Sequence, residues 1–342
     1  MLAAAAIVAF GSSADYIYAV QRSTEISKRA ILRARTGQDA VRIHNATACS
    51  HCTGDAVIVE PRRLLRMPLV LHNVRTHLPS DWRVRHMHRP GAIAAEIARA
   101  DLLPYPLLSH AIRTGALMLE PLPFDPPGRN RVWYNAYLLS PGFWLHFSSP
   151  WLLLFEADAV LCPQPTWALS TFLHRRFMYI GAPWRGPKTP PAYLRHHIVC
   201  CNSGLSLWRR DKVVSSNMSR EMHEGGARRC GGRRHGCEAA LIDNEAALWL
   251  AAAGNAGRLK GPAMPTGPEA MRFSAESWYD GGFTPFGAHD ALNCVLVSGR
   301  RCFDELLRRC PPVAIMFANS SALPGKGERQ LLAVAGAQRA IL

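Results

Sequence analysis

Apolar positions along the chain follow two rhythms: short unbroken runs, and longer stretches in which they recur every three or four residues. Ala56–Val59 is a β-branched run bounded by Gly54 and Pro61, which predicts a buried strand. Leu64–Leu78 has helical spacing and stops at Pro79. Trp82–His88 alternates as a second strand, Ala92–Ala100 predicts a short helix, and Gly115–Glu120 predicts a third strand. Val132–Phe147 carries aromatics and leucines at helical intervals and predicts one helix. Trp151–Phe155 is the most apolar strand candidate, and it stops on Glu156, Ala157 and Asp158.

The second half is less regular. Apolar runs at Phe177–Ile180 and Leu205–Trp208 flank Gly181–Trp184 and Asn202–Gly204. Residues 217–237 read as a mobile Gly/Arg-rich insertion, and Asn244–Ala253 as a helix closed by Gly254. Strands alternating with helices predict an α/β fold: a mostly parallel central sheet with helices on both faces. In such sheets ligands bind beyond the carboxyl ends of the strands. Glu60 and Asp158 each close an apolar strand, so both are expected to face one crevice. The expected organisation is a basic leader at 1–55, one domain at 56–310 and a tail at 311–342.

Composition narrows the picture modestly. With 48% hydrophobic and 19% charged residues, the 342-residue chain can bury a sizeable core. Its longest clean apolar run, Leu2–Phe10, is too short to span a bilayer. Lys+Arg 40 against Asp+Glu 25 gives a net +15, a charge that attracts polyanions. Only five of those cations are Lys, the signature of a GC-biased coding sequence. They are scattered, and the densest group, Arg228–His235, has no aromatic neighbour, so nucleic-acid binding is the weakest reading.

Ten cysteines include a Cys49–Cys52 pair with the spacing of a zinc half-site or a redox couple. Disulfides are the better expectation, with Cys49–Cys52, Cys230–Cys237 and pairings among Cys294, Cys302 and Cys310 all open. Sequons at Asn45, Asn217 and Asn319, together with Leu2–Phe10 as an h-region, point to the secretory pathway or Golgi lumen. A cytoplasmic protein is the alternative, and membrane association would run through the N-terminus.

The candidate chemistry is acidic. Glu156 and Asp158 stand two residues apart at the end of a buried strand, where carboxylates are costly unless they are used. Hard divalent cations such as Mg²⁺ and Mn²⁺ take such a pair, with phosphate oxygens completing the shell. Helix N-caps are the plainer reading of the same residues. His289 follows Gly287 and Ala288, and the glycine permits a turn that aims the imidazole into the crevice.

Several blocks, in order, resemble the DUF5672 family. They are Val57–Arg62 with Asn73; Tyr134–Asn135; Phe143–Trp144; Leu154–Cys162; Tyr179–Trp184; Asn202–Leu207; Phe273–Glu276; and Pro285–His289. The resemblance spans about residues 56–295. It implies a single GT-A-like, Rossmann-like domain and a metal-dependent glycosyltransferase using a nucleotide-sugar donor. On that reading Asp158 holds Mn²⁺ or Mg²⁺ with Glu156 and His289 assisting, and Glu60 and Arg62 contact the nucleotide. Asn202 and Gly204 shape the sugar pocket, and Glu245, with Asp243 as substitute, acts as base toward a glycan, protein or lipid hydroxyl. The chain departs from the family at Cys201–Gly204, where Gly-Asn-Gly-Gly is usual, and at Asn244–Glu245, where Glu-Asp is usual. A non-catalytic sugar- or nucleotide-binding module is therefore the rival reading.

Overall fold

The computed structural model describes residues 52–127, 132–183, 200–229, 242–255, 264–276, 279 and 281–317. Its centre is a six-stranded sheet in the order β3-β2-β1-β4-β7-β6. The strands are β1 (Gly54–Val59), β2 (Trp82–His88), β3 (Leu117–Pro121), β4 (Trp151–Phe155), β6 (Tyr179–Pro183) and β7 (Cys200–Trp208). β1 runs parallel to β2 and β4, and β2 runs parallel to β3. β7 is antiparallel to both β4 and β6, so it alone is reversed. A small second sheet, β5-β9-β8, combines Ala159–Leu161, Gly287–His289 and Ser274–Ala275.

Side-chain alternation explains why Ala56–Val59 of β1 and Leu152–Phe155 of β4 are unbroken apolar runs. Ala56 and Ile58 of β1, with Leu153 and Phe155 of β4, enter one core. Val57 and Val59, with Leu152 and Leu154, enter the other. A stretch covered on both faces favours apolar side chains at every position, and the buried Asp55 at the start of β1 is admitted only with its arginine partners. Helices Met67–His77 and Pro106–Arg113 supply Val70, Leu71, Val74 and Leu108 to the first core. Val132–Leu139, Pro141–Leu145, Met218–Arg229 and Ile242–Asn255 cover the second. The architecture is the expected α/β one, mostly parallel with helices on both faces.

Three local expectations need correction. The helix expected over Val132–Phe147 is two, Val132–Leu139 and Pro141–Leu145. Pro141 lacks the N–H that would continue the first helix, and Ser140 caps the second by accepting from Phe143 N at 3.3 Å. The insertion at 217–237 holds a helix, Met218–Arg229, because Met218, Met222, Gly225 and Gly226 recur at helical spacing and are buried. Gly254 lies inside Ile242–Asn255 and does not close that helix. The packed structure also runs past residue 310, since the 3₁₀ helix Pro311–Phe317 buries Val313–Met316 in the first core.

Among the described residues two disulfides have both partners, Cys294–Cys302 and Cys162–Cys310. The first is among the expected pairings. The second joins residues 148 apart and is not. Cys52 is disulfide-bonded, which removes it as a zinc ligand. No described helix is long and apolar enough to cross a membrane.

Candidate functional site

From β1 the chain steps outward through β2 to β3, then returns to the other side of β1 for β4. The carboxyl ends of β1 and β4 therefore flank the switch point where such sheets bind ligands. The register pairs Val57 with Leu154, which brings the residues following both strands to the same edge.

After Phe155 the backbone turns and enters β5, with Ala159 N donating to Glu156 O at 3.0 Å. A strand follows this turn, so Glu156 and Asp158 are not helix N-caps. β5 pairs antiparallel with β9, placing Ala159 opposite His289, while Asp290 N donates to Asp158 O at 3.0 Å. One ligand atom from each of Glu156, Asp158 and His289 lies within 4.8 Å of the others. His289 Nε2 is 3.5 Å from Asp158 Oδ1, and its Nδ1 is 3.8 Å from Glu276 Oε2.

Electrostatics tie the group together. Burial alone would raise the Asp158 carboxyl, but the pairing with His289 and the charge of Arg66 outweigh it and hold the group well below the usual carboxylate value. Burial alone would lower His289, but Asp158 and then Glu276 raise it well above an ordinary imidazole. Two oxygen donors and one imidazole suit a hard or borderline divalent ion such as Mg²⁺ or Mn²⁺. His289 Nδ1 is buried and makes no hydrogen bond, yet it faces a carboxylate that is 2% exposed. That is the arrangement in which a carboxylate behind a histidine orients the other ring nitrogen for a metal.

Gly204 is part of this geometry. A Cβ at residue 204 would lie 2.1 Å from His289 Nε2, so only glycine leaves the imidazole its place. Asn202 Oδ1 accepts from Gly204 N at 2.8 Å, and Glu156 N donates to Gly204 O at 2.8 Å. Both expected pocket-shaping residues thus touch the cluster's own framework.

On the β1 side, Arg62 forks onto Glu60, with Nε at 2.7 Å from Oε1 and Nη2 at 2.6 Å from Oε2. That hydrogen bond is the largest reason the Arg62 guanidinium sits above its ordinary value, and the charges of Glu60, Glu156 and Asp158 add to it. Glu60 and Arg62 also line a cavity of about 250 Å³ with Met67, His86, His88 and Ile97. Burial pushes His86 down to about 4, so the cavity wall carries a neutral imidazole there.

Glu245 is buried on Ile242–Asn255, which packs against β7. The side chain of Asp243 lies outside the described residues, as do Asn45 and Asn319. Glu276 ends the sequence block Phe273–Glu276. A lone acid after a two-residue strand carries no periodic signal, and only the fold puts it behind His289.

A family model described as "Protein of unknown function (DUF5672)" matches residues 127–289. Over this segment, a little under half of its length, the chain is similar to that family. The segment carries Glu156, Asp158, Gly204 and His289 together. Among solved structures, the apo form of glycosyltransferase GlyE from Streptococcus pneumoniae TIGR4 is similar at 8% identity and TM-score 0.40, covering 69% of this chain and 54% of that one. The match therefore spans about half of the pneumococcal chain. Mouse xyloside xylosyltransferase 1, in its apo form, is similar at 9% identity and TM-score 0.39, covering 71% and 98%. Mannosyltransferase PcManGT from Pyrobaculum calidifontis, in complex with GDP-Man and Mn²⁺, is similar at 12% identity and TM-score 0.33, covering 92% of each chain. No curated protein matches the chain.

Proposed function

We propose that the chain is a metal-dependent glycosyltransferase that moves a sugar from a nucleotide-sugar donor to an acceptor hydroxyl. The observation that carries this reading is the convergence of Glu156, Asp158 and His289 at the switch point of the sheet, with Glu156 and Asp158 close enough to act on the charge of Arg62, which lines a cavity with Glu60. Those three residues would hold Mn²⁺ or Mg²⁺, which when bound supplies Lewis-acid stabilisation of a diphosphate leaving group.

The chain's own groups have separable roles. The neighbouring cavity takes the nucleoside, and Glu60 fixes Arg62 at its rim, where the guanidinium meets donor phosphate. Asn202 and Gly204 hold the floor beneath His289 and bound the sugar pocket. Glu245, or Asp243, is the base toward a glycan, protein or lipid hydroxyl. The domain occupies about residues 56–310 with the following 3₁₀ helix packed on it. Two buried disulfides and an exposed Asn217 support a secretory-pathway or Golgi setting.

One observation favours the rival, a non-catalytic sugar- or nucleotide-binding module: Glu245 is 2% exposed, which is unusual for a base that must reach an incoming hydroxyl. Release of nucleoside diphosphate from a panel of nucleotide sugars, with and without Mn²⁺, separates the two. Mn²⁺-dependent release that Glu245→Gln reduces supports the transferase. Mn²⁺-dependent donor binding without release from any donor supports the module.

A further inference from the structure

The three metal-binding candidates are split between two sheets. Glu156 follows β4 of the large sheet, whereas Asp158 and His289 flank the β5–β9 ladder of the small one. Their mutual distances therefore depend on how the small sheet is fixed against the large one. β5 is only three residues long and, among the described residues, lies at the edge of its sheet with β9 as its one strand neighbour.

The outer edge of β5 is occupied by a side chain. Asn73, on helix Met67–His77, donates from Nδ2 to Leu161 O at 2.9 Å and accepts at Oδ1 from Leu161 N at 2.7 Å. The amide thus satisfies both backbone groups of one residue, as a neighbouring strand would. Asn73 is 4% exposed, and its Nδ2 lies 3.3 Å from His77 Nδ1 on the same helix. Met67–His77 follows β1 and packs Met67, Leu69, Val70, Leu71 and Val74 into the first core. One residue further on, Cys162 N donates to Phe286 O at 2.9 Å, and Cys162 is bonded to Cys310.

We propose that Asn73 is a positioning residue of the metal centre: its amide locks β5 to the large sheet and so sets Asp158 and His289 against Glu156. This rests on the metal-site reading above. Asn73 touches neither ion nor donor; it acts through Leu161 and the short strand that begins one residue after Asp158. An asparagine is suited to the task because its planar amide presents one donor and one acceptor at the spacing of a peptide edge.

The test compares Asn73→Ala with Leu108→Ala, which truncates a fully buried side chain of the same core on helix Pro106–Arg113. Mn²⁺ affinity is measured by titration well below the melting range, together with the imidazole NMR signals of His289 in metal-free protein. Asn73→Ala is expected to weaken Mn²⁺ binding by about tenfold, the usual scale for residues that orient a metal's ligands, and to shift the His289 signals. Leu108→Ala is expected to lower the melting temperature while leaving both unchanged. Asn73→Leu, which is close in size, adds no charge and removes both the donor and the acceptor, serves if the alanine variant does not fold, and it too should weaken binding. Parent-like affinity and unshifted His289 signals in the Asn73 variants overturn the proposal, as does an equal change in Leu108→Ala. A parent that binds no Mn²⁺ overturns the metal-site reading itself, and the His289 signals then still report whether Asn73 positions that residue.

Discussion

Two clusters of charged side chains lie in this fold, one toward the amino end of β1 and β2 and one beyond the carboxyl ends of β1 and β4. In the first, fully buried Asp55 accepts from Arg83 Nε at 2.9 Å and from Arg85 Nε at 3.0 Å. Arg85 Nη1 reaches Glu120 Oε1 at 2.7 Å, and Glu120 Oε2 meets His146 Nε2 at 2.8 Å. Two acids face two arginines, and the hydrogen bonds close the chain. In the second, Glu156, Asp158 and Glu276 surround a single imidazole at looser separations, and His289 Nδ1 is buried without a hydrogen bond. The first set of charges is neutralised from within the protein and needs nothing more. The second carries excess negative charge held in place by strand register, which is what a cation site requires.

That contrast can be broken most forcefully in the closed network. Asp55→Ala leaves Arg85 buried with half its partners, and removing one member of a buried ion pair costs about 3–5 kcal/mol. Urea unfolding should show that loss while Mn²⁺ affinity stays at the parent value. A parallel loss of Mn²⁺ binding would mean that the clusters are one unit.

Gly204→Ala acts on the open cluster. The added methyl meets His289 Nε2, so the imidazole must move, and overpacking of this kind costs about 1–3 kcal/mol. Here stability and Mn²⁺ affinity should fall together, the reverse of the Asp55 outcome. Calorimetric unfolding paired with Mn²⁺ titration distinguishes the two patterns.

The pH response sharpens the comparison further. His289 has a folded value raised above 6.5, so its contribution to stability is complete below 6.5 and disappears as pH rises through the raised value. Asp158 works in the opposite sense: its contribution is present above 3.8 and is lost as pH falls toward its depressed folded value. A metal ligand must shed its proton, so Mn²⁺ affinity should climb by about tenfold per pH unit across the raised His289 range. Potentiometric titration of proton release on Mn²⁺ addition checks this, and His289→Gln should flatten the slope.

Much of the fold was legible because its central strands are buried on both faces. Ala56–Val59 and Trp151–Phe155 announce themselves as unbroken apolar runs, and acids closing such runs drew attention to Glu60, Glu156 and Asp158. The paired carboxylates were readable from spacing, but the turn expected at Gly287 is instead strand β9, and its pairing with β5 is what brings His289 beside them. What could not be read was long-range: Glu276 behind His289, Asn73 on Leu161, and Cys162 with Cys310. Each joins residues through tertiary packing that leaves no periodic trace in the chain. Helix Met218–Arg229 was hidden because Gly225 and Gly226 look like loop residues, although they are buried where the helix packs closely.

The central claim is that the open cluster binds a divalent cation through Asp158. Mn²⁺ titration followed by electron paramagnetic resonance, on the parent and on Asp158→Asn, tests it directly. The substitution keeps the shape of the side chain and removes the charge. The parent should take up one tightly held Mn²⁺ and gain about 2.7 kcal/mol of stability at a hundredfold excess over Kd. Asp158→Asn should show neither the bound signal nor the gain. Binding by Asp158→Asn at the parent's affinity would mean that the carboxylate only shapes a turn between two strands, and the transferase reading would lose its centre.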